Sequence, residues 1–401
     1  MIKMRIEDNI WKFYIYRVLG TLIFVTPIFV LFLLENNLTL MQVMILQAYY
    51  AIILVFFRIP AGTFTDFAGR KKAIILSQFL FLASWIFYAL GTNFLGFVIA
   101  ETLIGVSSAL WGSASSAFIY DTLAALGKEE QFKKIFGTVT SINYLVWGIA
   151  SLAGGYIASV YGLRMTFWAT ALPIAISCLI PLFFVEPYVH KPLEKRYLAH
   201  IREAIKFSLS HPKVKFFIIY SMIFSGVGAA AYFFYQPYFK LIKIDIFYFG
   251  VIFFLMNVAG AIGSKFAHNI EKLLGEKTTL YAMLIIPIIS FLFLWKLLIP
   301  LAVLFPIIKF FIGGFSEPVL EDYVNRHIQT HHRATILSLK NLGGDLFFSI
   351  LSPILGYLAD LWSIQTAFLI SAIILFVDLV ILYIFMHLKT RYVEWTPKTA
   401  E

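Results

Sequence analysis

Long apolar runs, separated by short polar segments, fill the chain between residues 11 and 387. A helix needs about 20 predominantly apolar residues to cross the hydrocarbon core of a bilayer. Runs of this kind recur along the whole chain, and they predict twelve membrane-spanning helices. Their approximate bounds are 11–34, 40–65, 73–91, 95–125, 135–160, 165–185, 214–239, 246–267, 278–297, 299–325, 334–358 and 364–387.

The composition agrees with a membrane protein. Of the 401 residues, 60% are hydrophobic and 13% are charged, whereas about a quarter of the residues in a soluble domain are charged. One soluble core cannot bury so much apolar surface, so we expect the lipid bilayer to surround most of the chain. Cys178 is the single cysteine, which excludes an internal disulfide.

The positions of lysine and arginine predict the orientation. Alternate loops are long and basic, while the others carry only Arg164, Lys240, Lys243 and Lys296. Because cytoplasmic loops are enriched in basic residues, we expect both termini in the cytoplasm and the protein in the plasma membrane. The net charge of +10 then reflects this topology, and we expect no nucleic-acid partner.

The longest polar interruption runs from Glu186 to Lys213, halfway along the chain. Within it, apolar residues recur at helical spacing among basic ones, which predicts an amphipathic helix lying on the inner membrane surface. The apolar positions are Leu198, Ile201, Ile205 and Leu209. The interruption predicts a six-helix bundle over 1–190, a central cytoplasmic loop over 191–212 and a second bundle over 213–401.

The two halves of the chain are related by an offset of 201 positions. The offset carries glycines onto glycines and an intramembrane acid onto another acid: Gly62 onto Gly263, Ser115 onto Ser316, Asp121 onto Asp322 and Phe167 onto Phe368. Such a repeat indicates two bundles related by an axis along the membrane normal. This architecture is typical of transporters that work by alternating access, with the substrate site near the midplane.

A charged segment, GTFTDFAGRKK, separates the second and third predicted spans. With the twelve spans and the internal repeat, it resembles the loop motif of the major facilitator superfamily. Gly62, Asp66, Gly69, Arg70, Lys71 and Lys72 match that motif, and Phe67 departs from it at a basic position. The resemblance implies an all-α membrane protein with twelve transmembrane helices in two six-helix bundles.

The motif residues are expected to form a gating latch on the cytoplasmic side. Gly62 would allow close approach of another helix, and Gly69 would permit a tight turn. Asp66 would face the positive end of a neighbouring helix, which the resemblance identifies as the eleventh span. By the same resemblance, Arg70, beside Lys71, would reach Asp121 on the fourth span.

In pattern the chain is closest to drug–proton antiporter-like members of the superfamily. Gly148, Gly154 and Gly155 on the fifth span match part of the antiporter signature, although its proline is absent and the first span carries no acid. Small residues for close helix packing explain these glycines equally well.

Ionisable residues within the spans are costly and therefore suggest function. The candidate proton-binding or substrate-binding residues are Arg17, Arg58, Glu101, Lys309, Glu317 and Asp345. Lys309 and Asp345 lie at similar depth on adjacent spans. We hypothesise that Asp345 is the protonation site or a cation contact and that Lys309 regulates it; the alternative is a structural ion pair. Arg17 and Arg58 either snorkel to the inner surface or line a cavity.

The resemblance places the cavity between the first, fourth, seventh and tenth spans, with contributions from the eleventh. The expected lining residues are Tyr14, Trp111, Tyr232, Tyr235, Gln236 and Asn341. An aromatic lining favours a lipophilic small-molecule substrate. Aromatic residues at the membrane interfaces are the alternative explanation.

These features favour a proton-coupled secondary transporter that works by alternating access and exports amphipathic organic compounds. An uptake porter for an organic anion is the alternative, and a membrane receptor or an intramembrane enzyme is disfavoured because no catalytic cluster is evident. The sequence contains no phosphate-binding loop for ATP. We expect a monomer that is not an enzyme and that has neither cofactor nor metal.

Overall fold

A computed structural model describes residues 5–187, 210–326 and 333–388. These residues form thirteen α-helices and three short 3₁₀ segments, without β-strands in the described ranges. The helices are α1 (Asp8–Gly20), α2 (Phe29–Glu35), α3 (Leu40–Ala68), α4 (Arg70–Leu90), α5 (Phe94–Ala125), α6 (Phe132–Tyr161), α7 (Leu163–Leu179), α8 (Pro212–Tyr232), α9 (Tyr235–Leu241), α10 (Ile246–Lys296), α11 (Leu304–Asn325), α12 (Arg333–Leu361) and α13 (Ile364–Leu388). The predicted amphipathic helix, about 193–209, lies outside the described residues.

Ten helical segments are long and apolar enough to cross a membrane. One of them, α10, has 51 residues and consists of two helices that meet at Gly275, where φ is +74°. Together with the first crossing, which α1 and α2 share, these segments make the twelve crossings that the apolar pattern predicts. The predicted all-α membrane fold is confirmed.

The first predicted span is not one helix, because the backbone leaves helical geometry between Gly20 and Phe29. Pro27 cannot donate a backbone hydrogen bond and disfavours helical geometry at Thr26. The break is held by neighbours: the Phe24 amide donates to Thr170 Oγ1 at 3.0 Å, and Trp147 Nε1 donates to Thr26 Oγ1 at 3.0 Å. Non-helical backbone is tolerated at membrane depth only where protein or water satisfies its polar groups.

The seventh predicted span, 214–239, is also divided. Helix α8 ends at Tyr232, and α9 begins at Tyr235 after a two-residue turn. The first span of each predicted half is therefore broken, whereas the apolar pattern, which records only length and hydrophobicity, predicts two continuous helices.

The chain clusters into two compact units. The first comprises Met1–Leu193 with Lys243–Phe254, and the second comprises Glu194–Ile242 with Leu255–Glu401. In the first unit, a Cβ placed on Gly250 would lie 2.4 Å from the Ser151 carbonyl oxygen. The start of α10 therefore packs directly on the backbone of α6, because Gly250 has no side chain that would hold the two helices apart.

Buried polar side chains tie the helices of the first unit together at both ends. At one end, Arg164 Nη1 donates to the carbonyl oxygens of Ala89 at 2.6 Å and Gly91 at 2.9 Å, while its Nη2 donates to Asn36 Oδ1 at 2.8 Å. At the other end, Asn9 forms two hydrogen bonds with the backbone of Val185, at 2.8 and 2.9 Å. These contacts fix the helix ends between which the candidate site lies.

Gly154→Ala is expected to destabilise the protein. A Cβ at Gly154 would lie 1.9 Å from the Phe24 carbonyl oxygen, so α6 or the break in the first span must move. Overpacking of this kind costs about 1–3 kcal/mol and should lower the unfolding temperature in detergent. The matched control is Gly137→Ala on the same helix, where no described atom lies within 4 Å of the new Cβ. An equal loss in both variants would contradict the assigned role of Gly154.

Candidate functional site

A cluster of charged residues joins three helices at one end of the first unit, which we call the basic end because Arg70, Lys71 and Lys72 lie there. Arg70 Nη1 lies 2.6 Å from Asp66 Oδ1, and Arg70 Nε lies 3.4 Å from Asp121 Oδ2. One guanidinium therefore connects the end of α3, the start of α4 and the last turns of α5. Asp121 is buried and Asp66 is exposed, so the Arg70–Asp121 contact is the better shielded of the two.

The sequence did not reveal a third carboxylate in this cluster. Glu186 accepts hydrogen bonds from the backbone amides of Arg70 at 2.7 Å and Lys71 at 2.8 Å. It therefore caps the N-terminus of α4, where a negative charge is favourable. The sequence offered only a weak signal, which was an acid at the end of the sixth predicted span.

The two motif glycines differ in what they do within this unit. Gly69 adopts φ +99°, and a Cβ there would stand 2.9 Å from Glu186 Oε1, so both the turn and the carboxylate require glycine. No described atom lies within 4 Å of a Cβ placed on Gly62. The close approach expected at Gly62 is therefore absent from the described contacts of the first unit.

A cavity of about 440 Å³ lies inside the first unit, between α1, α4, α5 and α6. Its wall combines one cation and several rings: Arg17, Phe81, Trp111, Phe136, Tyr144 and Trp147. Hydroxyl and amide groups complete it: Thr21, Ser77, Gln78, Ser107, Ser108 and Asn143. An apolar pocket with a few converging polar groups is the usual form of a small-molecule site.

Arg17 is the cation of this cavity. Its guanidinium carbon lies 4.4 Å from the centre of the Trp111 ring, a favourable cation–π distance. Among the described residues, no carboxylate pairs with Arg17, and neither Arg17 Nε nor Trp111 Nε1 has a hydrogen-bond acceptor. The wall therefore presents unused donors and a positive charge, which suit an anionic group of a ligand.

Other polar groups of the wall are already engaged. The Thr21 hydroxyl donates to Asn143 Oδ1 at 3.1 Å, and the Tyr50 hydroxyl donates to Ser108 Oγ at 3.3 Å. Tyr14 lies nearby on α1, where its hydroxyl points to the Ile135 carbonyl oxygen at 3.5 Å. The cation and its ring partner thus remain the groups most available to a ligand.

Lys309 of the second unit does not form the ion pair with Asp345 that was one of our alternatives. No described carboxylate lies within salt-bridge distance of Lys309. Its Nζ lies 5.6 Å from the centre of the Phe310 ring and would be 2.6 Å from a Cβ on Gly228. The missing side chain of Gly228 makes room for the ammonium against α8.

Three of the predicted lining residues can be placed within the second unit. Tyr232 lies near the lysine, with its ring centre 5.9 Å from that of Phe310. Tyr235 and Gln236 are buried, and Tyr235 stacks on Phe368 of α13 at 5.8 Å. Tyr235 therefore packs against α13 in the interior of its unit, and its place in a cavity wall stays a prediction.

The remaining candidates are not among the residues that line this cavity. Glu101 is buried between α3, α4 and α5, where it accepts hydrogen bonds from Gln47 Nε2 at 2.7 Å and from the Tyr88 hydroxyl. Arg58, Glu317 and Asn341 are exposed on their helices, and Asp345 is partly buried. The membrane depth expected from the sequence did not distinguish these residues from Arg17. Depth does not tell which face of a helix a side chain occupies.

Twelve crossings in two units, with a cavity among the helices of the first unit, are typical of a multi-pass membrane transporter, and the comparisons with known proteins agree. Residues 18–350 match the model of the Major Facilitator Superfamily, and the chain belongs to this family. Its members are transporters and not enzymes.

Relatives of known sequence share modest identity with the chain. It is 22% identical over 387 residues to an MFS-type transporter of Methanocaldococcus jannaschii, covering 95% of this chain and 98% of the relative. It is 29% identical over 179 residues to Multidrug resistance protein 2 of Bacillus subtilis, covering 43% and 42%.

Solved structures show the same fold. The nucleoside transporter NupG superposes with a TM-score of 0.76 at 13% identity, covering 97% of this chain and all of that one. A bacterial homolog of the human lysosomal transporter Spinster, inward-facing and unoccupied, superposes with a TM-score of 0.76 at 15% identity, covering 99% and 100%.

Glu186→Ala is expected to loosen the basic end of the first unit. The variant removes two hydrogen bonds to the α4 N-terminus, and losing a helix cap costs about 0.5–2 kcal/mol. The unfolding temperature in detergent should fall. Glu130→Ala, which removes an exposed glutamate from the loop before α6, is the control and should leave it unchanged. A wild-type unfolding temperature for Glu186→Ala would show that the cap contributes nothing to stability.

Proposed function

We propose that the chain is a proton-coupled secondary transporter that exports amphipathic organic compounds carrying an anionic group. The observation that carries this proposal is the guanidinium of Arg17, which stands in a cavity wall without a described carboxylate partner. A buried charge is costly unless it is paired. An anionic ligand supplies the missing partner, and the cavity is then specific for that charge.

The rest of the wall supports an amphipathic ligand. Phe81, Phe136 and Trp147 offer apolar rings, while Gln78 and Asn143 offer amides. Aromatic rings hold a flat or lipophilic body through surface burial, and the amides orient polar substituents. Sugars, which need hydrogen bonds over their whole surface, fit this lining less well.

Export is supported by two independent considerations. Several relatives are named multidrug resistance proteins, including one of Bacillus subtilis and one of Citrobacter koseri. In addition, an anion that leaves a negative-inside cell while one proton enters moves two charges down the field. Each charge gains about 2.3 kcal/mol per 100 mV, so this exchange gains about twice that amount.

Uptake of an organic anion is the second candidate, because Arg17 would serve it equally well. One-to-one symport of a proton with a monoanion moves no net charge and gains nothing from the membrane potential. The two functions therefore differ in their electrical response, although they share the same binding chemistry.

The Arg70 cluster is the part of this proposal that controls access. Its contacts to Asp66 and Asp121 hold the ends of α3, α4 and α5 together, and their loss would let these ends separate. We assign the basic end to the cytoplasm, place both termini there in the plasma membrane, and take the functional unit to be a monomer. Asp345 and Glu317 remain candidates for the coupling acid, whereas Glu101 is held by two hydrogen-bond donors and is assigned a structural role.

Arg17→Gln should impair transport of anionic compounds selectively. Charge-assisted hydrogen bonds contribute about 1.5–3 kcal/mol, so KM for an aromatic carboxylate should rise about 10- to 100-fold. The effect is measured as KM for uptake into proteoliposomes of a matched panel of anionic, neutral and cationic aromatic compounds. Arg58→Gln is the control, since Arg58 lies outside the cavity wall. Equal losses for all three charge classes would contradict an anion contact at Arg17.

The membrane potential should distinguish export from uptake. Proteoliposomes loaded with a transported aromatic carboxylate, at equal pH on both sides, receive a potassium-diffusion potential that is negative inside. Antiport predicts faster efflux than at zero potential, whereas one-to-one symport predicts the same rate. Protein-free liposomes correct for passive leakage, and a rate independent of potential would reject antiport with a proton.

A further inference from the structure

Asp378 of α13 is a buried acid to which no role has yet been assigned. Its exposed fraction is 0%. Neither of its carboxylate oxygens has a hydrogen-bond partner among the described residues, and none of the described basic side chains forms an ion pair with it. Glu101, the comparable acid of the first unit, accepts hydrogen bonds from Gln47 and Tyr88 instead.

The helices around Asp378 bring no described counter-charge to it. Helix α13 packs on α8, α9 and α12, and it also contacts α10, where the ring of Phe291 stacks on Phe368 at 6.1 Å. On α8 the ring of Phe216 stacks on Phe385 at 3.9 Å. Tyr220 of α8 is the titratable neighbour that interacts electrostatically with Asp378. The Tyr220 hydroxyl donates to the Leu280 carbonyl oxygen at 2.9 Å and so is not directed at the acid.

An ionised carboxylate in such a place costs several kcal/mol, because it has lost water and gained neither donor nor cation. A neutral carboxyl group loses far less on the same transfer. The packed arrangement of α8 and α13 is therefore compatible with the protonated acid and opposes the ionised one. Separation of the two helices, which would admit water, reverses this preference.

We propose that Asp378 binds the coupling proton of the transport cycle and that its charge state controls the packing of α13 on α8. This inference rests on the proton coupling in the proposed function. The proton arrives from water on one side of the membrane and neutralises the carboxylate as the helices close. It leaves to water on the other side when they separate, so one proton crosses in each cycle and no other reactant is needed.

Helix α8 links Asp378 to the cation of the second unit. Tyr220 and Gly228 are eight residues apart, about 12 Å along the helix axis, and Gly228 makes the room that Lys309 Nζ occupies. A shift of α8 on α13 therefore also changes the surroundings of Lys309.

The test compares Asp378→Asn, Asp378→Glu and Glu101→Gln in proteoliposomes that carry the same aromatic carboxylate. Asparagine copies the shape of the neutral acid but cannot release a proton. Asp378→Asn should reduce the flux driven by a pH gradient at least tenfold, while substrate exchange at equal pH is retained. Asp378→Glu should recover part of the driven flux. Glu101→Gln should retain coupling, because Glu101 is held by two donors.

Infrared difference spectroscopy of the purified protein gives a second readout that needs no transport. The carbonyl stretch of a protonated carboxyl group should respond to pH in the wild type and disappear in Asp378→Asn. Wild-type flux that is driven by pH, together with unaltered driven flux in Asp378→Asn, would overturn the role of Asp378 and leave the proposed function intact. Wild-type flux that ignores the pH gradient would overturn proton coupling itself, and an Asp378 band that is absent at every pH would contradict the protonated acid.

Discussion

Polar and charged groups inside a bilayer need hydrogen-bond or ion-pair partners within the protein. Both the packing of the helices and the candidate site follow from how this requirement is met. In the first unit, Arg70, Arg164 and Asn9 satisfy it through contacts between helix ends, and these contacts hold the bundle together. Arg17, Lys309 and Asp378 do not satisfy it within the described chain. These three groups lack a partner that a substrate or a proton can supply. The same physical requirement therefore distinguishes the structural residues from the candidate functional residues.

The sequence predicted those features that depend on local pattern. Apolar run length defined the twelve crossings, and the segment from Gly62 to Lys72 indicated both the family and the Arg70 cluster. The Gly-Gly pair of α6 was less clear, because Gly154 and Gly155 could serve either an antiporter signature or close packing. The structure gives them a packing role: Gly154 receives the Phe24 carbonyl, and Gly155 receives the backbone of α10.

The sequence did not predict the features that depend on the direction in which a side chain points. Lys309 and Asp345 lie at similar depths, yet Lys309 is directed at Gly228 because space is available there. Glu186 reaches the start of α4 across 115 residues of chain, and no periodicity encodes such a contact. The stacking of Tyr235 on Phe368 was likewise not predictable, since the turn after Tyr232 separates α9 from α8.

The break in the first span has a mechanical consequence. No continuous ladder of backbone hydrogen bonds connects α1 to α2. The two segments are therefore separate helices and not one rigid helix. Helix α2 ends beside Arg164, which binds Asn36, whereas Arg17 lies on α1, three residues before that helix ends. A change in the tilt of α1 therefore need not be transmitted to α2. The cavity can thus change its volume without unlocking the far end of its own bundle.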